Sequence, residues 1–349
     1  MTLRLHATAM LAVGALVGLA IATIAPLSPA VAQVEGSSAR VTRLLDYLQT
    51  QRTTGFLVIR DGNVLIEKNW PAPPDAPAFA HFVYEATADG ALLEDVASQQ
   101  KSFVAVLVAI AIDKGLIAAD RPVSDYLGKG WSKASADQEA RIRVDDLLTM
   151  TSGLDDRFGF SAPVGTVYFY NTPVYAVTKR ILEAAARQPL DAITRDWLTA
   201  PAGMKDTAWH KRPQALAGVG NDTGLVTSPR DVARFGQMIL NGGVAEGGTR
   251  IVSDASFRAM FTRTATNPAY GRLWWLNGGA FAIREATGRK DGPLVAAAPA
   301  DMVGAFGAFH RRLYVVPSLK LVVVRTGAAA RDADFDQQLW LRLREVLGL

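Results

Sequence analysis

Apolar and polar positions alternate so as to divide the chain into a strand-rich start, a helical middle and a strand-rich end. Val41, Leu44, Leu45 and Leu48 recur at helical spacing within 40–51, which predicts an amphipathic helix. Two apolar, β-branched runs follow at 55–60 and 64–68. They flank Asp61-Gly62-Asn63, a hairpin signature. After an irregular stretch around Pro71-Ala72-Pro73-Pro74, small and acidic residues from Glu94 to Gln100 give way to an unbroken apolar run from Phe103 to Ile112. A helix over 98–115 without a polar face must be buried all round, and Gly115 supplies its stop.

From 116 to 240 the pattern is helix and loop. Asp120 to Leu127 reads as a turn with a short helix, 137–141 as solvated, 144–150 as a helix stopped by Gly153, and 174–187 as a longer helix. Runs suited to strands return at 272–276, 280–284, 313–316 and 319–325. The chain ends in an amphipathic helix over 334–347, with Phe335, Leu339 and Leu343 on one face. Strands at both ends with helices between imply an α/β (α+β) fold. Its antiparallel sheet is flanked by helices and carries an inserted, mostly helical subdomain. The expected division is an α/β part at about 33–115 and 241–349 and a helical part at about 116–240.

Composition changes this picture only by exclusion. The 349 residues carry a net charge of +4 and no cysteine, so disulfides, thiolate nucleophiles and thiolate metal sites are ruled out. The cations are dispersed rather than clustered with aromatics, which speaks against nucleic acid as a partner. At the N-terminus, Arg4, an apolar stretch over 7–25 and Ala30-Val31-Ala32 have the layout of a secretory signal peptide over 1–32. Cleavage there would leave an exported, periplasmic or secreted protein of 33–349 with no stable membrane span. The alternative is an uncleaved membrane anchor.

Several chemistries are missing. There is no G-x-S-x-G elbow, H-E-x-x-H or P-loop, the four histidines are scattered, and Gly218-Val219-Gly220 lacks the third glycine of a dinucleotide fingerprint. No metal or cofactor is expected. Nucleophilic catalysis would then require a serine with lysine or tyrosine as base. Ser98 and Lys101 stand i, i+3, on one helix face. They read either as a helix cap beside a solvated lysine or as a hydroxyl activated by an amine.

Beyond these two residues, the chain resembles the serine β-lactamase and penicillin-binding-protein superfamily, in its class C-like branch of esterases and amide hydrolases. The resemblance rests on Ser98-Gln99-Gln100-Lys101 together with blocks at 55–62, 146–154, 165–171, 202–207, 224–236 and 313–317, in the family's order. It implies a β-lactamase/transpeptidase-like fold, Ser98 as nucleophile and Lys101 as its base. A lysine packed against a buried helix has its charged form disfavoured, which suits that task. Tyr170-Asn171-Thr172 matches the second motif, with Tyr170 in the proton relay and Thr172 as a substrate-binding hydroxyl where Asn or Ser is usual. The third motif falls on Ala305-Phe306-Gly307, where the usual cation is absent. Phe306 and Gly307 would contact substrate. His310, Arg311 or Arg312 could replace the cation only if the hairpin register slipped. The backbone N–H groups of Ser98 and Ala308 would form the oxyanion hole.

The implied function is hydrolysis of a small-molecule ester or amide through a Ser98 acyl-enzyme. β-Lactamase or D-Ala-D-Ala carboxypeptidase activity is the alternative, and a non-catalytic binding or sensor protein of the same fold is the reading from another class. Tyr270, Trp274 and Trp275 line a substrate groove or pack the sheet; the sequence leaves both open.

Overall fold

A computed structural model of the chain describes residues 38–217, 221–284 and 288–349. The expected signal peptide and the Gly218-Val219-Gly220 stretch lie outside them. Twelve strands are described: β1 (Thr53–Arg60), β2 (Asn63–Asn69), β3 (Val83–Ala86), β4 (Leu92–Asp95), β5 (Ala208–Lys211), β6 (Thr223–Thr227), β7 (Trp275–Leu276), β8 (Phe281–Arg284), β9 (Gly288–Asp291), β10 (Val303–Gly307), β11 (Arg311–Val316) and β12 (Leu321–Gly327). Six form one antiparallel sheet in the order β2-β1-β12-β11-β10-β7. The first hairpin turns at Asp61-Gly62, both at positive φ, as an Asp-Gly turn requires. The last strands of the chain complete the sheet against β1, with Val58 opposite Val323.

Every residue of β12 is buried, because helices cover both faces of the sheet. On one face the first helix, Ser38–Thr50, and the last, Phe335–Leu347, pack through Tyr47 on Phe335 and Trp340 on Tyr314. On the other lie Gln100–Asp113 and Pro229–Leu240, where Phe103 stacks on Phe235 at 3.8 Å. Gly236 makes this second contact possible. A Cβ there would come within 2.7 Å of Leu313 and Val322 side-chain atoms. Phe103, Val104, Val106, Leu107 and Val108 of the buried helix are all at most 1 % exposed, and burying each is worth about 1.5–3 kcal/mol.

Three details add to or depart from the sequence expectation. The middle region is not simply helical: β5 and β6 pair with each other and, through β6, with β4 in a second sheet of order β3-β4-β6-β5. The helix Pro229–Leu240, placed in the helical part, packs on β11 and β12 of the main sheet. Finally, the stretch read as solvated over 137–141 contains Glu139, whose buried carboxylate accepts from the amides of Gly130 and Ser132 and from the Ser132 hydroxyl. Among the described residues no helix is long and apolar enough to cross a membrane.

Candidate active site

The two sheets meet at one turn. β4 ends at Asp95, Ala97–Gln99 form a single 3-10 turn, and the buried helix starts at Gln100. The Val96 amide donates to Leu225 of β6 at 3.0 Å. The end of β10 abuts the same turn, since a Cβ on Gly307 would lie 2.3 Å from the Val96 carbonyl oxygen. Ala97 takes the left-handed conformation at φ 51°, which costs about 1–3 kcal/mol outside glycine. Its amide is held by Asp95 Oδ1 at 2.8 Å, and Asp95 is gripped by Arg212 through Nε at 2.7 Å and Nη2 at 3.1 Å. The result is a turn in which Ser98 alone, of all residues from Glu94 to Ala111, is not buried.

Lys101 is not the solvated side chain of the plainer reading. It is 2 % exposed, and its Nζ lies 2.9 Å from Ser98 Oγ and 3.1 Å from Thr172 Oγ1. It sits 4.7 Å from the ring centres of both Tyr170 and Tyr175, so aromatic faces take the place of water around the nitrogen. Nor does Ser98 cap the helix, whose first turn has no side-chain cap.

Tyr170 and Thr172 reach the site because Asn171 pins the chain between them. As N-cap of the helix Thr172–Ala186, Asn171 accepts from the Val174 amide through Oδ1, and its Nδ2 donates to the carbonyls of Leu154 and Asp155. Thr172 thus begins the helix with its hydroxyl on Lys101. Ser98, Lys101, Tyr170 and Thr172 are thereby brought together from two distant segments. The Asn171 clamp was missed from sequence, although an Asn ahead of Thr-Pro is itself a capping signal.

The stretch that the resemblance assigns to the third motif lies on β10, where Phe306 faces Arg312 and Gly307 faces Arg311. Ala305, which the resemblance sets at the position of the usual cation, is fully buried. Neither arginine compensates. Arg311 is paired with Glu94 at 3.3 Å and Arg312 with Asp336 at 2.7 Å. Their other work is on the hairpin itself. Arg312 donates to the Gly307 and Arg311 carbonyls, Arg311 to that of Ala308, and Arg325 to those of Phe309 and His310. The peptide joining Gly307 to Ala308 is trans, so its N–H points opposite its C=O. With the Gly307 carbonyl turned onto Arg312, the Ala308 N–H is aimed away from that guanidinium. None of these buried arginine contacts was legible in the sequence.

Two predictions arise here. Gly307→Ala would force β10 away from the Val96 carbonyl, and we expect a loss of about 1–3 kcal/mol in stability with roughly 100-fold slower turnover, read by denaturation and steady-state kinetics. The second concerns His310. Its Nδ1 accepts from the Ala330 amide at 3.2 Å, and burial, seconded by Arg312, pushes its pKa down to about 4. An unfolded imidazole takes up a proton below about 6.5, whereas the folded one does so only near 4. Stability is therefore full above pH 6.5 and falls as pH drops toward 4. His310→Asn keeps an acceptor and suits the left-handed φ of 58°. Its denaturation free energy should lose about 1–2 kcal/mol less than the wild type between pH 7 and pH 4.

Of the three late aromatics, Trp274 is core, packed on Phe235 and Phe261. Trp275 instead lies beside the site, stacked on Tyr170 at 5.8 Å and on Phe306 at 6.1 Å, with Tyr270 edge-on to it. Phe306 is mostly buried, and Gly307 serves the close approach of strand and turn.

Comparison with known proteins bears on the family and the fold. A family model described as Beta-lactamase matches residues 41–347. Penicillin-binding protein 4 of Amycolatopsis lactamdurans is 28% identical over 217 residues, 48% of this chain and 56% of that protein, so the match spans little more than half of the relative. Among solved structures, a beta-lactamase from Mycobacterium bovis is similar with a TM-score of 0.61 and 18% identity, covering 87% of this chain and 98% of that one. A beta-lactamase/D-alanine carboxypeptidase from Yersinia pestis has a TM-score of 0.62 and 16% identity, over 89% and 97%. At these identities the two structures speak for the fold alone.

Proposed function

The chain belongs to the beta-lactamase family, and on that premise we propose that it is an exported serine hydrolase that cleaves a small-molecule ester or amide through an acyl-enzyme on Ser98. The observation that carries this reading is the 2.9 Å approach of a buried Lys101 Nζ to Ser98 Oγ, in a segment where only the serine is open to a ligand.

The chemistry follows from the geometry. In its amine form Lys101 takes the Ser98 proton as Oγ attacks the carbonyl carbon. The electron pair of the C=O bond moves to oxygen, where the N–H groups of Ser98 and Ala308 receive the negative charge. The Ser98 amide belongs to the turn that opens the helix, where amides lack an i−4 partner. Collapse expels an alcohol or amine that takes its proton through Tyr170, and a water molecule then attacks the acyl carbon and frees Ser98. The absence of a cation at Ala305 favours esters and linear amides over β-lactams and D-Ala-D-Ala peptides. Export rests on the signal-like pattern of residues 1–32.

The test is to expose the protein to a fluorophosphonate probe, a fluorescent penicillin and 4-nitrophenyl acyl esters. Ester turnover with labelling at Ser98 is the expected result. Stable penicillin labelling without turnover would instead indicate a sensor, and no labelling by any reagent would remove Ser98 from the mechanism.

A further inference from the structure

A second cavity, of about 390 Å³, lies between the helix Thr172–Ala186, β5 and the start of β6. None of Ser98, Lys101, Tyr170 and Thr172 lines it. Its volume falls within the range of small-molecule sites, about 300–1,000 Å³. Phe158, Val177, Leu190 and Trp209 form apolar walls. The floor is polar, with Lys179 5% and Asn221 3% exposed. Lys179 Nζ lies 2.8 Å from Asn221 Oδ1, 3.1 Å from Gln100 Oε1 and 2.9 Å from Thr223 Oγ1. Asn221 thus has its oxygen engaged, while its Nδ2 is buried without a hydrogen-bond partner among the described residues. Leaving a buried donor unpaired is costly, and an acceptor carried in by a ligand would pair it.

The mouth is charged. Arg180, Glu183, Asp191 and Asp222 line the cavity and are exposed. Two of these carboxylates are already engaged, Glu183 accepting from the Leu190 amide at 3.0 Å and Asp191 from the Trp209 amide at 3.2 Å. Neither the Arg180 guanidinium nor the Asp222 carboxylate has a hydrogen bond or ion pair among the described residues. The floor lysine does not turn the site into an anion trap. Burial, seconded by Arg212, pushes its pKa down to about 6, so at neutral pH the amine is mostly uncharged. The open groups are therefore a guanidinium and an amide N–H that suit a carboxylate, and a carboxylate that suits an ammonium. Aromatic rings stand beside them.

We propose that this cavity binds a free α-amino acid with an apolar side chain. Its carboxylate is held by Arg180 and Asn221 Nδ2, its ammonium by Asp222, and its side chain by Phe158 and Trp209. The site is distinct from the Ser98 site and does not depend on the hydrolase reading. Its floor nevertheless reaches the helix of the nucleophile, because Lys179 also touches Gln100, the residue before Lys101.

The experiment is calorimetric titration of the full protein at neutral pH with L- and D-phenylalanine. Phenylalaninamide, which lacks the carboxylate, and 3-phenylpropanoate, which lacks the ammonium, are the matched controls. At least one phenylalanine enantiomer should bind saturably, and both controls should bind about tenfold more weakly or worse. Arg180→Gln and Asp222→Asn, both at exposed positions, should each weaken phenylalanine by about fivefold. Asn221→Asp keeps Oδ1 for Lys179 but replaces the open donor with an acceptor, and it should weaken binding further than either. Three results would each overturn the proposal: no binding of either enantiomer, a control that binds as well as phenylalanine, or an affinity unchanged in both Arg180→Gln and Asp222→Asn.

Discussion

Ser98→Ala should leave no ester turnover above the uncatalysed background, and Lys101→Met should lower kcat by about 10²–10⁴-fold. The methionine keeps an unbranched stem in the space between Tyr170 and Tyr175 while removing the nitrogen that lies 2.9 Å from Ser98 Oγ. It also leaves Thr172 without the Lys101 contact to its hydroxyl. In the proposed mechanism Ser98 and Lys101 act on one proton, so their losses should not add, and the double variant should be no slower than Ser98→Ala alone. Single-turnover release of 4-nitrophenol measures the acylation step directly. Near-normal acylation in Lys101→Met would remove the lysine from the mechanism, and a double variant much slower than Ser98→Ala would mean that the two side chains contribute independently.

What the sequence disclosed and what it hid divide along a physical line. Ser98, Lys101 and the buried helix were legible because helical spacing is local: an i, i+3 pair leading into ten apolar residues can only lie one way. The hairpin at Asp61-Gly62 and the last helix were legible for the same reason. The strand β10 was not among the runs read from sequence; counting back from Pro317 marked only 305–307, and the pairing of Phe306 with Arg312 became visible in the structure. Hidden features depend on partners far along the chain. β5 and β6 hold four and five residues, and their sheet is completed by β3 and β4 from more than a hundred residues earlier. Nothing periodic marks Arg212 as the partner of Asp95, or Arg325 as the group that holds the carbonyls of Phe309 and His310. Buried ion pairs leave no pattern in a sequence because each is a single coincidence in space.

Of those hidden pairs, Asp95–Arg212 should carry the largest effect on stability. The Asp95 side chain is fully buried and that of Arg212 is 5% exposed. Gly224 has no side chain because a Cβ there would lie 2.1 Å from Asp95 Oδ2. Arg212→Met would strand a carboxylate in this space, and we expect a loss of about 3–5 kcal/mol in urea denaturation. Pairing it with Asp95→Val removes the uncompensated charge, so much of the stability should return, as it does when buried ion pairs are replaced by apolar groups. Acylation should not return with it. Valine cannot accept the Ala97 N–H that Asp95 Oδ1 holds at 2.8 Å, and Ala97 must keep a positive φ for Ser98 to stand clear of the buried helix. The double variant should therefore be folded and slow, with acylation down by roughly 100-fold. Recovery of stability and acylation together would show that the turn holds its shape without the carboxylate. Recovery of stability alone would assign the buried ion pair to the presentation of the nucleophile, at a cost in folding that an apolar pair would not incur.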